Sequence, residues 1–497
     1  MHPSLISQML LLAAEGPLVR DGSVSPARSS FETDISPSIA AAVTDVPPTI
    51  LGNTSPIPTD VSYATAFALM TGLVDPAGRT IVRTNLDTLY SEAAIDLSHA
   101  DLELTVPYVP DGRFYVFSFY DLYGNNFCNL GTITNSTPET YYIQLAHNTS
   151  IVKPGPTFQP QYQGTIDYPT TYGIMLIRFL LYNNESDVLN MQAIQRQISI
   201  FPLNRTEPIA PYMSAALLNI NLTESAATFW PGSLNDTTAT QLLNLTARLS
   251  PYAPPENTSD IPRVQEYLTA AGLVNGTYTP PSVVNFTDAG VHINSTLDAF
   301  LSSNSTFTDL GQCWKATAPA ISGDYLSDYT ARACVAWSTY LLLSSYEAIY
   351  PEYYGFDNPN GLLSVEACSA LILTFSGESP VSGFWSLTAY GVDNYLIPND
   401  IGIYALGDRS NLTFPDGRLV YGNNSKSDGE FKFLVQLADK APPDKLKSNW
   451  LPAPAGGGNF FVNLRYCGPK KAITGGNYTQ PVVTKSKAIL HDPESCP

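Results

Sequence analysis

Residues 112–132, GRFYVFSFYDLYGNNFCNLGT, set the fold class of this chain. From Arg113 to Tyr120 apolar and aromatic side chains crowd together without helical spacing, and Gly124-Asn125-Asn126 then interrupts them. Aromatic and β-branched residues suit a pleated surface, while Gly and Asn suit turns, so the stretch reads as a strand followed by a turn. Runs of the same kind stand at Leu102–Val106, Tyr141–Leu145 and Ile174–Tyr182, separated by Gly, Pro and Asn clusters. Residues from Thr80 to about Tyr182 therefore read as a β-sandwich.

Outward from this block the pattern changes. Tyr63–Val74 carries apolar residues at helical spacing and stops before Asp75-Pro76. Beyond Asn190 come Pro-rich joins (Pro251, Pro254, Pro255, Pro280, Pro281) and helical patches at Gln241–Leu249 and Val264–Leu273. Tyr325–Tyr350 is the longest helical pattern, closed by Pro351. A second β region follows, with runs at Cys368–Phe375, Phe384–Tyr390, Phe431–Leu437 and Asn459–Tyr466 divided by turn signals. The expected class is α+β, mainly β: an N-terminal β-sandwich, a helical glycosylated middle and a C-terminal jelly-roll sandwich. The boundaries fall at 1–60 for an N-terminal segment, 61–195 for the sandwich, 196–350 for the helical cap and 351–497 for the jelly-roll-like domain.

Composition points to the compartment. Asn-x-Ser/Thr acceptors stand at Asn53, Asn135, Asn148, Asn184, Asn204, Asn221, Asn235, Asn244, Asn257, Asn275, Asn285, Asn294, Asn304, Asn411, Asn423 and Asn477, crowding the helical middle. Charged residues make up only 14%, a low share for a surface that is not solubilised in another way. Together these features predict a secreted, heavily N-glycosylated protein. The leader signal is marginal, because Ser7 and Gln8 interrupt a short apolar run, Met9–Ala14, that lacks a charged n-region. No apolar stretch approaches the ~18 residues of a membrane span. With 44 acidic against 25 basic residues, the net charge of −19 repels phosphate backbones and argues against nucleic-acid partners.

Six cysteines allow three disulfides and form no zinc-type spacing. Pairing of Cys467 with Cys496, and of Cys313 with Cys334 or Cys368, would tie down the tail and the helical middle. The five histidines are scattered, and no HExxH, GxSxG or phosphate-binding Gly loop occurs. No metal or nucleotide cofactor is expected.

What remains is a polar and aromatic constellation. In an extended chain Arg83, Asn85 and Asp87 project to one side, offering a guanidinium, an amide and a carboxylate to a ligand. They equally suit a buried pair that pins a strand. Phe119–Asn126, with Tyr120 and Asn125, and Gly383–Tyr390, with Trp385 and Tyr390, form aromatic-plus-amide sets suited to sugar rings or flat apolar ligands, or to a sandwich core, and Tyr90 and Tyr404 are further candidates. Arg332, with Tyr325 and Tyr329 on neighbouring turns, is either an interdomain tie or a site cation. Arg465 is a further candidate cation.

IVRTNLDTLYSEAAIDLS (81–98) and GRFYVFSFYDLYGNNFCNLGT resemble the N-terminal half of a two-domain family known as domains of unknown function twelve fifty-four and twelve fourteen. FWSLTAYGVDNYLIPN (384–399), NWLPAPAG (449–456) and LRYCGP (464–469) resemble its C-terminal half in the expected order. The resemblance covers most of residues 60–482 apart from the glycan-rich middle. It implies a β-sandwich, a helical middle and a jelly roll in an exported protein, and some relatives are linked to polyuronide lyase activity. Three departures stand out. Ile133 and Ile403 occupy positions where the family usually has Arg, and Cys467 replaces a Tyr. Loss of two fork-shaped carboxylate donors favours a neutral or apolar substrate.

Three functions are consistent with these residues. In a polyuronide lyase, Arg83 or Arg332 would neutralise the uronate carboxylate and Tyr90 or Tyr120 would remove the C5 proton. In a cofactor-free cyclase or isomerase of secondary metabolism, aromatic walls would shape a small apolar molecule. In a non-catalytic glycan-binding protein, the same residues would only recognise a sugar. Sequons thin out across the matched blocks, so the expected pocket lies between the two β domains, around Arg83 and Phe384–Tyr390, with a carbohydrate or small molecule as partner.

Overall fold

The computed structural model describes residues 67–69, 83, 85–146, 152–154, 161–182, 185–213, 217, 236–282, 284–338, 341–356, 361–421 and 429–491. The expected leader lies outside them.

Two five-stranded sheets build the N-terminal sandwich. One runs β1 (Phe67–Leu69), β2 (Thr88–Asp96), β9 (Tyr172–Leu180), β4 (Tyr115–Asp121), β5 (Asn126–Gly131). The other runs β10 (Ser199–Asn204), β3 (Ala100–Thr105), β6 (Thr140–Leu145), β8 (Gly164–Tyr168), β7 (Val152–Pro154). Odd-numbered residues of the first sheet, such as Leu89, Phe117, Phe119, Met175, Ile177 and Phe179, meet Leu102, Leu104, Ile143 and Ile166 of the second. Alternation then turns Tyr90, Ser118, Tyr120 and Arg178 to the opposite face. That face is not open to water, since every residue of β4 and β9 is buried. Helix α1 (Glu185–Gln195) follows, and Gln195 Nε2 anchors it to the carbonyl of Tyr90 (2.9 Å) and Ser91 Oγ (2.8 Å).

The C-terminal unit is also two sheets face to face. The larger runs β13 (Phe307–Gly311), β14 (Trp314–Thr317), β16 (Glu352–Tyr353), β23 (Asn459–Cys467), β19 (Trp385–Gly391), β20 (Ala405–Gly407), with β15 (Ala348–Ile349) and β17 (Leu363–Ser364) also paired to β23. The smaller runs β22 (Trp450–Ala453), β21 (Phe431–Leu437), β18 (Ser369–Phe375), β24 (Val482–Lys487), with β21 and β22 parallel. Leu371, Phe375, Trp385, Leu387, Phe431, Phe433 and Leu464 fill the space between them. The middle carries α2 (Asp236–Leu249), α3 (Ile261–Ala270), the hairpin β11 (Leu273–Val274) and β12 (Thr277–Tyr278), α4 (Phe286–Ser302) and α5 (Tyr329–Ser338). No helix among the described residues is long and apolar enough to cross a membrane.

The α+β, mainly β class read from the sequence is the one observed, and the expected strands fall on β3, β4, β6, β9, β18, β19, β21 and β23. Two helices were misread. Within Tyr63–Val74 the described residues form edge strand β1, whose backbone pairs with Ser91–Ala93. The long helix expected over Tyr325–Tyr350 is only α5, Tyr329–Ser338. Leu341 takes a left-handed backbone (φ 43), and Leu341 and Leu343 enter separate apolar clusters between the domains instead of one helix face. Neither expected cysteine pairing forms: Cys128, Cys313, Cys334 and Cys467 are free thiols. Cys467 and Cys334 are packed into apolar clusters, and burial pushes Cys334 up to about 12. Cys368 is not a free thiol, and Cys496 lies outside the described residues.

Trp385 is fully buried in the C-terminal sandwich, stacked on Phe433 (centroids 5.9 Å apart) with Nε1 donating to Tyr421 Oη (2.8 Å). Trp385→Ala is expected to cost about 3–5 kcal/mol through the cavity it leaves. Urea unfolding measures it, and a cost under about 1 kcal/mol would mean the ring is not a core element.

Candidate functional site

The two domains meet through the outer faces of their sheets. On the C-terminal side, alternation along β19 and β23 puts Ser386, Thr388, Tyr390, Asn463, Arg465 and Cys467 opposite the core residues. On the N-terminal side stand Thr88, Tyr90, Ser118, Tyr120 and Arg178. Apolar contacts close the gap, with Phe114, Val116 and Leu180 against Leu343, Ala348, Phe384 and Cys467, and Ile174 and Leu176 against Leu341. Polar groups placed there are cut off from water, so each must be hydrogen-bonded or carry a cost.

Arg465 is the best satisfied of them. Nη1 donates to Thr388 Oγ1 (2.8 Å), and Nη2 donates to the carbonyl of Arg83 (2.9 Å) and to Tyr390 Oη. Beside it Asp87 accepts from Ser386 Oγ (2.6 Å) and pairs with Arg409, which also pairs with Asp408 (2.5 Å) and lies over Phe384 (4.6 Å). Burial pushes the Asp408 carboxyl up to about 6 although Arg409 pulls it down. Arg83, in left-handed backbone (φ 53), donates to Asn394 Oδ1 (3.0 Å), pairs with Glu352 and lies over Phe461 (4.6 Å). These groups act as a clasp between the N-terminal arm and the C-terminal sheet.

A few residues away the arrangement differs. Arg178 is buried, with long hydrogen bonds to Ser118 Oγ (3.3 Å) and the carbonyl of Leu341 (3.5 Å), and its guanidinium lies 5.4 Å from the Tyr90 ring centroid. Glu347 is fully buried, and neither carboxylate oxygen has a hydrogen-bond partner among the described residues. Burial pushes its carboxyl up to about 7, against the pull of Arg178. Asn463 Oδ1 and Thr88 Oγ1 are also without partners among the described residues. A buried carboxyl of raised pKa that feels the charge of a buried guanidinium is a combination that can exchange a proton with a ligand. No group of three or more His, Cys, Asp or Glu among the described residues is placed to hold a metal ion.

The turn carrying Glu347 is held by β5. Asn126 Oδ1 accepts from Ser344 N (2.9 Å) and Oγ (2.7 Å), Asn129 Nδ2 donates to Tyr346 Oη (2.8 Å), and Glu347 N closes the turn on the carbonyl of Ser344 (2.9 Å). This is what Asn126 and Asn129 of the GNNFCN stretch do.

The sequence candidates thus divide. Arg83, Asp87, Tyr390 and Arg465 come together in the clasp, and Tyr90 and Tyr120 line the neighbouring Arg178 centre. Tyr404 packs at the edge, near Tyr390 and Phe461, while Asn85 accepts the Asp87 N–H (2.7 Å) and shapes the turn. Trp385 is core, correcting its assignment to substrate. Tyr120 donates to the carbonyl of Leu341 (3.0 Å) and burial pushes its phenol up, the wrong direction for a base. Arg83 is tied by Glu352 and Asn394, which removes it as a catalytic cation. Arg332 and Asn125 stand apart in a second centre described below. Arg178, Glu347 and Arg409 were missed. Arg178 sits in an otherwise apolar strand, a signal that was legible, whereas Glu347 lay hidden in a misread helix. Of the three departures, Ile133 and Cys467 meet in one apolar cluster with Phe114 and Phe384, while Ile403 packs against the C-terminal core.

Because the folded protein retains a proton on Glu347 that the unfolded chain releases, stability from this group is complete below pH 4.5, falls as pH rises toward 7, and is level above. Glu347→Gln is expected to remove that slope, a difference on the order of 3 kcal/mol between the two ends of the window. Urea midpoints of both proteins at each end measure it, and parallel pH profiles would contradict the assignment.

Comparison with known proteins adds the following. A family model described as a protein of unknown function, DUF1254, matches residues 64–202, and a second, DUF1214, matches residues 347–471. No curated protein matches the chain. The solved VPA0106 protein from Vibrio parahaemolyticus is similar in fold, with a TM-score of 0.52 at 14% identity over 98% of this chain and 100% of that one. An uncharacterised protein from Burkholderia cenocepacia is similar at a TM-score of 0.39 and 11% identity, over 84% of this chain and 81% of that one. Matched in order by both models over more than half its length, the chain belongs to the two-domain family in which DUF1254 precedes DUF1214.

Proposed function

We propose that the protein is a secreted glycoprotein enzyme of the lyase or isomerase type that removes a proton from carbon beside a carbonyl or carboxylate. The observation that carries this reading is Glu347, fully buried, without a hydrogen-bond partner among the described residues, and held near neutrality beside Arg178. The Glu347 carboxylate takes the C–H proton, the bond's electrons move to the carbonyl oxygen, and Arg178 holds the resulting oxyanion. Return of the proton at another carbon gives an isomer; expulsion of a β-leaving group gives an unsaturated product. Cyclisation of a small metabolite uses the same enolate as nucleophile.

Enclosure favours a small substrate. Arg178, Tyr120, Glu347, Arg465 and Tyr390 are all buried, and the cluster of Ile133 and Cys467 adds apolar surface where an acidic polymer would need cations. A polyuronide lyase would use the same pair on a uronate C5 proton at a chain end. In D2O, deuterium should enter a responsive member of a panel of small keto acids, ketones and uronate oligomers, read by NMR. Glu347→Gln should slow that entry by ~10²–10⁴. Wild-type exchange rates in that variant would remove Glu347 as the base, and no exchange across the panel would remove the proton-abstraction reading.

Secretion is supported by the sequons. Asn135, Asn257, Asn275, Asn285, Asn304, Asn411 and Asn477 are exposed, whereas Asn244 is half-buried in α2 and donates to the carbonyl of Thr240 (3.0 Å). A disulfide through Cys368, whose sulfur is not free, accords with an oxidising compartment. Glycopeptide mass mapping is expected to find sugar on most of these exposed sites and none on Asn244. A secreted protein bare at all of them would overturn the glycoprotein reading.

A further inference from the structure

Arg332 and Asn125, left out of the interdomain site, belong to a second polar centre where the turn after β4 meets the helical middle. Asp121 is fully buried; its Oδ1 accepts from Tyr123 N (2.9 Å) and Asn125 N (2.8 Å), while Oδ2 has no partner among the described residues. Asn125 is a three-way junction. Its backbone binds Asp121, its Oδ1 accepts from Tyr325 N (2.7 Å), and its Nδ2 donates to Glu256. Arg332 is 3% exposed, with its guanidinium carbon 4.5 Å from the Tyr123 ring centroid and 4.7 Å from that of Tyr329. Its Nε has no hydrogen-bond partner among the described residues. Tyr123 Oη donates to the carbonyl of Ala253 and Tyr329 Oη to Asp260 Oδ2 (2.8 Å), so both rings are fixed. At the rim Glu256 and Asp324 are half-buried.

The centre thus holds a buried acceptor, Asp121 Oδ2, and a buried donor, Arg332 Nε, with the half-buried carboxyls of Glu256 and Asp324 near them. Burial pushes Asp121 up to about 6 against the pull of Arg332, and burial with the charges of Asp121 and Asp324 pushes Glu256 up to about 8. These carboxyls resist adding further negative charge, which disfavours an anionic ligand. The guanidinium among them disfavours a metal ion. An ammonium group would satisfy Asp121 but could accept nothing from Arg332. A hydroxyl does both, donating its hydrogen to one and offering a lone pair to the other. We infer that the Asp121–Glu256–Arg332 centre is a second binding site, which takes a neutral polyol such as a sugar residue, one hydroxyl bridging Asp121 Oδ2 and Arg332 Nε and a neighbouring hydroxyl reaching Glu256.

Saturation-transfer NMR on the full chain tests this with methyl α-mannopyranoside and myo-inositol as neutral probes and glucuronate as the anionic one. Transfer to a neutral probe is expected, several-fold stronger than to glucuronate. It should fall several-fold in Glu256→Gln and in Arg332→Lys, which keeps the charge and loses the Nε donor. Glu347→Gln should leave it unchanged, which separates this site from the interdomain one. Transfer that is absent for both neutral probes, stronger for glucuronate, undiminished in the two variants, or lost in Glu347→Gln would overturn the proposal.

Discussion

Two β-sandwiches bury polar side chains against each other, and the desolvation of those groups governs everything else at the interface. A buried guanidinium is tolerable only when its N–H groups find acceptors in good geometry. Arg465 meets that demand through Thr388, Tyr390 and the carbonyl of Arg83, the last of which belongs to the N-terminal arm. The clasp therefore requires docked domains, and docked domains create the dry environment in which Arg178 and Glu347 acquire their properties. Without the apolar seal of Phe114, Val116, Leu343 and Phe384, Glu347 would be hydrated and an ordinary carboxylate.

Buried polar groups at this interface are of two kinds, and the proposed function rests on the difference. Arg465 and Asp87 are bound to fixed hydroxyls, a backbone carbonyl and Arg409, so a ligand could engage them only by breaking existing bonds. Arg178 has long hydrogen bonds to Ser118 and the carbonyl of Leu341 and also engages the Tyr90 and Tyr120 hydroxyls, while Glu347 and Asn463 have oxygens without partners among the described residues. A structural ion pair would be expected to close such a pair in direct contact, because an unpaired buried carboxyl is costly. The asparagine clamp from β5 instead fixes the Glu347 turn by its backbone and leaves the carboxyl unengaged. Rigid support with open valences is the arrangement a binding site needs.

The fold was legible because aromatic and β-branched runs with Gly and Asn breaks leave few alternatives to strands. Arg83, Asp87, Tyr390 and Arg465 were legible as a group because alternation along a strand assigns faces without knowing the partner sheet. What alternation cannot give is whether an outer face meets water or a second sheet. Tyr120 read as a base for that reason, and only its burial shows the phenol pushed the wrong way. Trp385 read as a platform because an aromatic at a strand position has two faces to choose from. The 325–350 stretch failed differently. Its apolar spacing is helical, but Leu341, Leu343 and Ala348 each serve a different contact between domains, and tertiary packing overrode the local pattern.

The departures from the family pattern acquire meaning in three dimensions. Ile133 and Cys467 lie far apart in sequence, yet the Ile133 side chain approaches Gly468, next to Cys467, so closely that a Cβ there would fall 2.3 Å from Ile133 Cδ1. An Arg and a Tyr at these two positions would be neighbours and would bring a cation and a phenol to the seam. Ile133 and Cys467 instead make the contact apolar, in one cluster with Phe114, Phe384 and Leu343. A change of this kind leaves the Arg178–Glu347 pair intact while altering what surrounds it. Under the proposed function, chemistry at the pair and selectivity at the seam are separable, since a fold does not fix the substrate.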